Sequence, residues 1–236
     1  MSPLDTHGTT IVALTFAGGV VVAGDRRATS GNVIARHDLE KVVVVDDTTA
    51  AGYAGAVGPA MQMLRLFAAE VEQYEKIEGT PISFPGKANR LAAMLRDSLP
   101  MAMQGFEALP LLVGVDPDEP DPARAGRIVT FDVSGNIVPD STGYESIGSG
   151  SPYAKSALKK RYSRDADRAG AVRAAVEALY DAADDDSATG GPDLVRRIFP
   201  VVVTVTAAEG AVRVPPEEVE AVARQVVEAR AATPGG

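Results

Sequence analysis

The chain has 236 residues, of which 45% are hydrophobic, and a net charge of −9. That length suits one large domain with a sizeable core, and the acidic balance argues against nucleic acid and anionic membrane as partners. The absence of cysteine and the presence of only two histidines, His7 and His37, exclude disulfides and thiolate metal sites and leave a Ser-His-Asp triad poorly supplied.

In chain order, residues 10–16 (TIVALTF) and 20–24 (VVVAG) are apolar and β-branched, with Gly18-Gly19 between them, which predicts a hairpin. Residues 41–46 and 50–56 repeat that pattern around an Asp-Asp-Thr-Thr turn, and their near-continuous apolar character predicts burial on both faces. A helix is expected after Gly58-Pro59, because Leu64, Phe67, Ala68, Val71 and Tyr74 recur at helical spacing. A second is expected after Pro85-Gly86, using Leu91, Met94, Leu95 and Leu99, with Pro100 kinking or ending it. Residues 109–115 and 127–133 read as strands, separated by the acidic, proline-rich and exposed loop DPDEPDPARAG.

Ser151 reads as an N-cap with Pro152 at the first helical position. Val172, Val176, Leu179, Tyr180 and Ala183 mark a further amphipathic helix. VVVTVT at 201–206 reads as a buried strand, and Val219, Val222, Ala223, Val226 and Val227 as the last helix, before a frayed tail from 231. Blocks of strands and helices, rather than strict alternation, argue an α+β fold in which two sheets pack back to back with helices outside. No apolar run reaches the ~18 residues of a membrane span. Residues 1–8, MSPLDTHG, lack the basic start and apolar stretch of a signal peptide, so a soluble, cytoplasmic chain is expected.

The most telling local feature is Gly8-Thr9-Thr10 ahead of an apolar strand. If the Gly8–Thr9 bond is cut, Thr9 carries a free α-amine beside its own hydroxyl, which pairs nucleophile and base in one residue. A free α-amine ordinarily titrates at about pH 7.7–8.0, near the range where a general base works best. Read alone, Asp25 fits a strand-end turn residue, Lys41 a solvated edge charge and Asp184-Asp185-Asp186 a solvated helix end. Acid at a helix C-terminus is unfavourable, which favours a use for Asp186. The triple acid lacks the spacing of an EF-hand, so no metal is expected. Gly148-Ser149-Gly150-Ser151 lacks the Lys-Ser/Thr ending of a phosphate loop. His37 reads as a surface residue.

Taken together, GTTIVAL, AGDRRATSGN, the lysine in LEKV, GYAGAVG, GSGSPYA and LYDAADDDSATGGPD resemble, in order and spacing, a 20S proteasome β subunit of the actinobacterial type. The resemblance covers residues 8–230. It implies the N-terminal-nucleophile hydrolase fold, a four-layer αββα sandwich, and threonine-type endopeptidase activity without a cofactor. It makes Thr9 the nucleophile and base, and Gly8 the residue before a self-cleavage site. Residues 1–8 become a propeptide, short beside those common among actinobacterial relatives, and 9–230 a single peptidase domain.

By the same resemblance Asp25 supplies the counter-charge of Lys41, and Lys41 keeps the amine neutral. Gly55 offers an oxyanion N–H. Ser149, Asp186 and Thr189 (a threonine where the family often has serine) lie near the amine. Substrate-binding positions would be Ala28, Thr29, Val43, Tyr53, Gly55 and Val57; of these Ala28, Val43, Tyr53 and Val57 would line the primary specificity pocket, an apolar lining with one phenol that favours apolar or aromatic residues before the cut. The implied partners are proteasome α subunits and further β subunits in seven-membered rings, an ATPase ring and unfolded, Pup-tagged polypeptides, with neither nucleic acid nor membrane. The alternatives are an HslV-type threonine peptidase, whose Gly-Asp-Gly-Gln motif differs from Gly-Asp-Arg-Arg here, a catalytically silent β-type ring subunit, and an amidase on the same fold.

Overall fold

The computed structural model describes residues 8–117 and 119–232. His7, residues 1–7 of the expected propeptide and residues 233–236 of the expected tail lie outside the described residues. Two five-stranded sheets, antiparallel throughout, dominate the chain. The first runs β10(Tyr144–Gly148), β1(Thr10–Phe16), β2(Gly19–Gly24), β11(Val201–Thr206), β12(Gly210–Arg213). The second runs β5(Val42–Asp46), β6(Thr49–Gly55), β7(Ala108–Val115), β8(Gly126–Phe131), β9(Ile137–Pro139). A ribbon of β3(Ala28–Ser30) and β4(Val33–Arg36) stands apart.

Side-chain alternation along each strand divides the core into three. In β1 the even residues Val12, Leu14 and Phe16 pack with α3(Ser151–Arg161), α4(Arg168–Asp185) and α5(Pro216–Ala232). The odd residues Ile11 and Ala13 join Val42, Ala50, Leu111 and Val113 of the second sheet in a core between the sheets. The other face of the second sheet, including Ala51, Tyr53 and Leu112, packs on α1(Val57–Glu78) and α2(Phe84–Ala102). Central strands β1 and β2 are therefore apolar on both sides. α4 lies close on them through buried Ala171, Ala174, Ala175, Ala178 and Ala182, small side chains that permit near approach.

Several expectations need correction. β5 is an edge strand, and its Val44 is 44% exposed, so it is not buried on both faces. α1 starts at Val57, ahead of Gly58-Pro59, because proline is tolerated in a first turn where N–H groups lack intrahelical partners. α2 starts at Phe84, with Ser83 as the capping residue that accepts from the Gly86 N–H. Pro100 lies inside its final turn, and the helix ends at Ala102. Ser151 is the first residue of α3 rather than its cap; Gly150 occupies the cap position without a side-chain bond. Ala231 and Ala232 belong to α5 instead of a tail. The chain also contains β3, β4, β9, β10 and β12, which the hydrophobic pattern did not announce.

Candidate active site

The ends of β1, β2 and β10, the segment leading into β5 and the turn after α4 converge on Gly8 and Thr9. Thr9 is 1% exposed. Its hydroxyl donates to the Gly8 carbonyl oxygen at 2.8 Å. The same oxygen accepts from Lys41 Nζ at 3.2 Å. The Gly8 N–H donates to Thr29 Oγ1 at 3.0 Å, so the residue is held on both sides. Position 8 has no room for a side chain, because a Cβ there would sit 1.9 Å from the Ala188 Cβ.

Lys41 immediately precedes β5, and its side chain is wholly buried. An ammonium has three N–H donors. They go to Asp25 Oδ1 at 2.7 Å, to the Gly8 carbonyl and to the Arg27 carbonyl. Burial pushes its pKa below the ordinary lysine range, and the Asp25 carboxylate opposes that shift. Asp25, just past β2 and equally buried, is itself saturated: Oδ1 also accepts from the Thr10 N–H at 2.8 Å, and Oδ2 from the Arg27 and Gly190 N–H groups, each at 2.9 Å. An ion pair this deep is tolerated only when its remaining lone pairs and protons are bonded, as they are here.

On the other side of Thr9, Ser149 follows β10. Its N–H donates to the Thr9 carbonyl at 2.9 Å, and its hydroxyl lies 3.5 Å from that oxygen. The hydroxyl donates to Asp186 Oδ2 at 2.6 Å. Asp186 caps the C-terminus of α4 with extended backbone, and its Oδ1 accepts from the Ala188 N–H. Thr189, fully buried, donates to Asp186 Oδ2 at 2.6 Å and meets Thr10 Oγ1 at 2.6 Å; its hydroxyl is thus directed at Asp186 and Thr10.

Gly55 ends β6 with φ +91°, a backbone that a non-glycine residue adopts only under strain, and a Cβ there would fall 2.3 Å from the Glu107 carbonyl oxygen. Among the expected substrate contacts, Ala28 and Thr29 lie on β3, and Val57 opens α1. Val43 and Tyr53 pack on the α1 side of the second sheet. Tyr53 is 1% exposed, and its phenol donates to the Glu40 carbonyl at 3.1 Å. His37 is exposed.

Sequence reading singled out neither the Arg27 carbonyl as an acceptor for Lys41 nor the Gly190 N–H as a donor to Asp25. Both are backbone groups, and side-chain identity carries no signal for them. It also gave Thr10 no role beyond the strand, although its hydroxyl is buried. The adjacent pair Thr9-Thr10 was the available clue, since strand alternation sends the two side chains to opposite faces.

The sequence profile of the family described as "Proteasome subunit" matches residues 5–195. A "Proteasome subunit beta" from Saccharopolyspora erythraea is 59% identical over 230 residues, which cover 98% of this chain and 81% of that protein. One from Rhodococcus erythropolis is 60% identical over 227 residues, 96% of this chain and 77% of that protein. One from Mycolicibacterium paratuberculosis is 58% identical over 224 residues, 95% and 74% respectively. On a match of this extent the chain belongs to the proteasome subunit family, as a β subunit, in a class whose β members are threonine-type N-terminal-nucleophile endopeptidases.

Proposed function

We propose that this chain is a catalytically competent proteasome β subunit, which removes its own residues 1–8 and then hydrolyses polypeptides through an acyl-threonine intermediate. The observation that carries this reading is the pair of donors on one carbonyl. Thr9 Oγ1 and Lys41 Nζ both bond the Gly8 oxygen, at 2.8 and 3.2 Å. Thr9 Oγ attacks the Gly8 carbonyl carbon while Lys41 stabilises charge on the oxygen. The Gly8–Thr9 C–N bond then breaks, leaving an ester on Thr9 Oγ and a proton on the released amine. Water hydrolyses the ester, freeing the carboxylate of Gly8 and restoring the Thr9 hydroxyl.

In the processed chain, the residues from Thr9 to the end of α5 at Ala232 form the peptidase domain, arranged as a four-layer αββα sandwich; the three-part core described above supports that order. With Gly8 gone, the Lys41 donor that held its carbonyl turns to Thr9, while Asp25 and Arg27 keep the other two. The Thr9 amine takes the hydroxyl proton as Oγ attacks a substrate carbonyl, and later passes it to the leaving amine. The Gly55 N–H serves the oxyanion, where one donor is worth roughly 3–4 kcal/mol of barrier. Ser149, Asp186 and Thr189 orient the Thr9 end. Ala28, Thr29, Val43, Tyr53 and Val57 receive an apolar or aromatic side chain, and a peptide panel cleaved fastest after acidic residues would reject that preference.

Family membership supports assembly with α subunits and other β subunits into seven-membered core rings in the cytoplasm, fed by an ATPase ring with unfolded, Pup-tagged chains. No helix among the described residues is long and apolar enough to cross a membrane. The test is the intact mass of the chain co-expressed with an α subunit, with and without Thr9→Ala. The parent loses residues 1–8 and the variant keeps them. An assembled parent that retains residues 1–8 overturns the reading and favours a silent ring subunit.

A further inference from the structure

Thr10 touches neither the Gly8 carbonyl nor the Lys41 ammonium, yet its hydroxyl sits where the sequence otherwise places hydrocarbon. It shares a face of β1 with Val12, Leu14 and Phe16, and it is 0% exposed. A hydroxyl buried there is costly unless bonded, and valine would fill the same volume without that cost. The hydroxyl is bonded twice. The Gly150 N–H donates to Thr10 Oγ1 at 3.1 Å, and Thr10 Oγ1 lies 2.6 Å from Thr189 Oγ1.

Proton counting fixes the direction. Each hydroxyl has one proton, and that of Thr189 goes to Asp186 Oδ2, so Thr10 donates to Thr189. The chain of bonds runs from the Gly150 N–H through Thr10 and Thr189 to the Asp186 carboxylate. Ser149, whose N–H holds the Thr9 carbonyl, donates to the same carboxylate oxygen from the other side. Space is shaped around this link as well. A Cβ at position 150 would fall 2.3 Å from Thr10 Oγ1 and 2.7 Å from Thr189 Oγ1.

We propose that Thr10 is a positioning residue of the peptidase reaction: its hydroxyl ties β1 to the turn after α4 and so fixes the Ser149–Asp186 pair against Thr9. This rests on the peptidase reading given above. Loss of the link leaves the Gly150 N–H without its acceptor and the Thr189 oxygen without its donor, and lets the turn drift from the strand that carries the nucleophile. A shift of about 1 Å at a reacting group costs up to roughly a hundredfold in rate.

The test compares Thr10→Val, Thr10→Ser and the parent, each co-expressed with an α subunit. Reactive sites are counted with a peptide β-lactone, which acylates a nucleophilic hydroxyl, and kcat is expressed per reactive site. Thr10→Val is expected to lower kcat per site by roughly tenfold to a hundredfold, with KM within about twofold, and Thr10→Ser to restore most of it. A hydroxyl that merely supports the fold would reduce the number of reactive sites or the melting temperature and leave kcat per site unchanged, and that result overturns the proposal. Should Thr10→Val fail to assemble, Thr189→Val cuts the next link, and an unchanged kcat per site there overturns it equally. A parent that keeps residues 1–8 overturns the peptidase reading itself, whereas an unaltered Thr10→Val beside an active parent overturns this inference alone.

Discussion

Lys41 and Lys87 are both sealed from solvent and both paired to an aspartate, Asp25 for the first and Asp46 for the second. Each uses all three ammonium donors. Lys87, on α2, reaches Asp46 Oδ2 at 2.5 Å, Thr48 Oγ1 at 2.8 Å and Thr49 Oγ1 at 2.9 Å, which pins the β5–β6 turn to the helix above it. Its acceptors are all side chains of one turn. Two of the acceptors of Lys41 are backbone carbonyls, and one belongs to the peptide bond before Thr9. Burial and pairing alone make a clamp. On the reading proposed above, what gives Lys41 a chemical part is a third donor aimed at the Gly8 carbonyl, which processing removes.

Changing each lysine breaks this contrast most sharply. Lys41→Met is expected to abolish release of residues 1–8, a loss of at least about a thousandfold, read from intact mass. The variant also strands the Asp25 carboxylate, at about 3–5 kcal/mol of stability. The double change Lys41→Met with Asp25→Asn is expected to recover only part of that stability, because an amide nitrogen cannot accept the backbone N–H bonds that both Asp25 oxygens take, and none of the processing. Lys87→Met strands Asp46 instead and is expected to cost about 3–5 kcal/mol in denaturant unfolding while kcat per reactive site stays within about twofold. A large loss of kcat per site from Lys87→Met would erase the distinction between clamp and chemistry.

A smaller effect is expected at Ser149. Its hydroxyl donates to a carboxylate, a bond of about 1.5–3 kcal/mol, so Ser149→Ala should slow peptide hydrolysis about tenfold or more at unchanged assembly. The smallest is at Tyr53, whose phenol burial pushes up to about 12. An unfolded tyrosine loses its proton near pH 10, so this native phenol holds its proton more tightly. Its contribution is fully present below pH 10 and is lost as pH rises toward 12. Tyr53→Phe is expected to lose about 1 kcal/mol near neutral pH and to show a flatter stability profile between pH 10 and 12, measured by urea unfolding.

The two lysines also mark where the sequence was readable. Lys41 stood out through the ordered set of short matches around it, and the resemblance supplied Asp25, Ser149 and Asp186. Lys87 carried no such signal, since a lysine among helical residues reads as surface until packing is known. The long apolar strands β1, β2 and β11 and the helices α1, α2, α4 and α5 were legible because their periodicity is strong. The ribbon β3–β4 was not: β4 is exposed along its whole length and shows no alternation. β10, YESIG, is polar in composition and is a strand because it pairs with β1 across the fold. The bond between Thr10 and Thr189 joins residues 179 positions apart, and no local pattern announces it.

The most direct test of the account is to find where an electrophile lands. The assembled protein is treated with a peptide β-lactone, digested, and mapped by mass spectrometry. The account predicts one acylated peptide that begins at Thr9, carries the adduct on that residue, and disappears in Lys41→Met while persisting in Lys87→Met. An adduct on Thr10 or Ser149, or one on a chain that still carries residues 1–8, would contradict it.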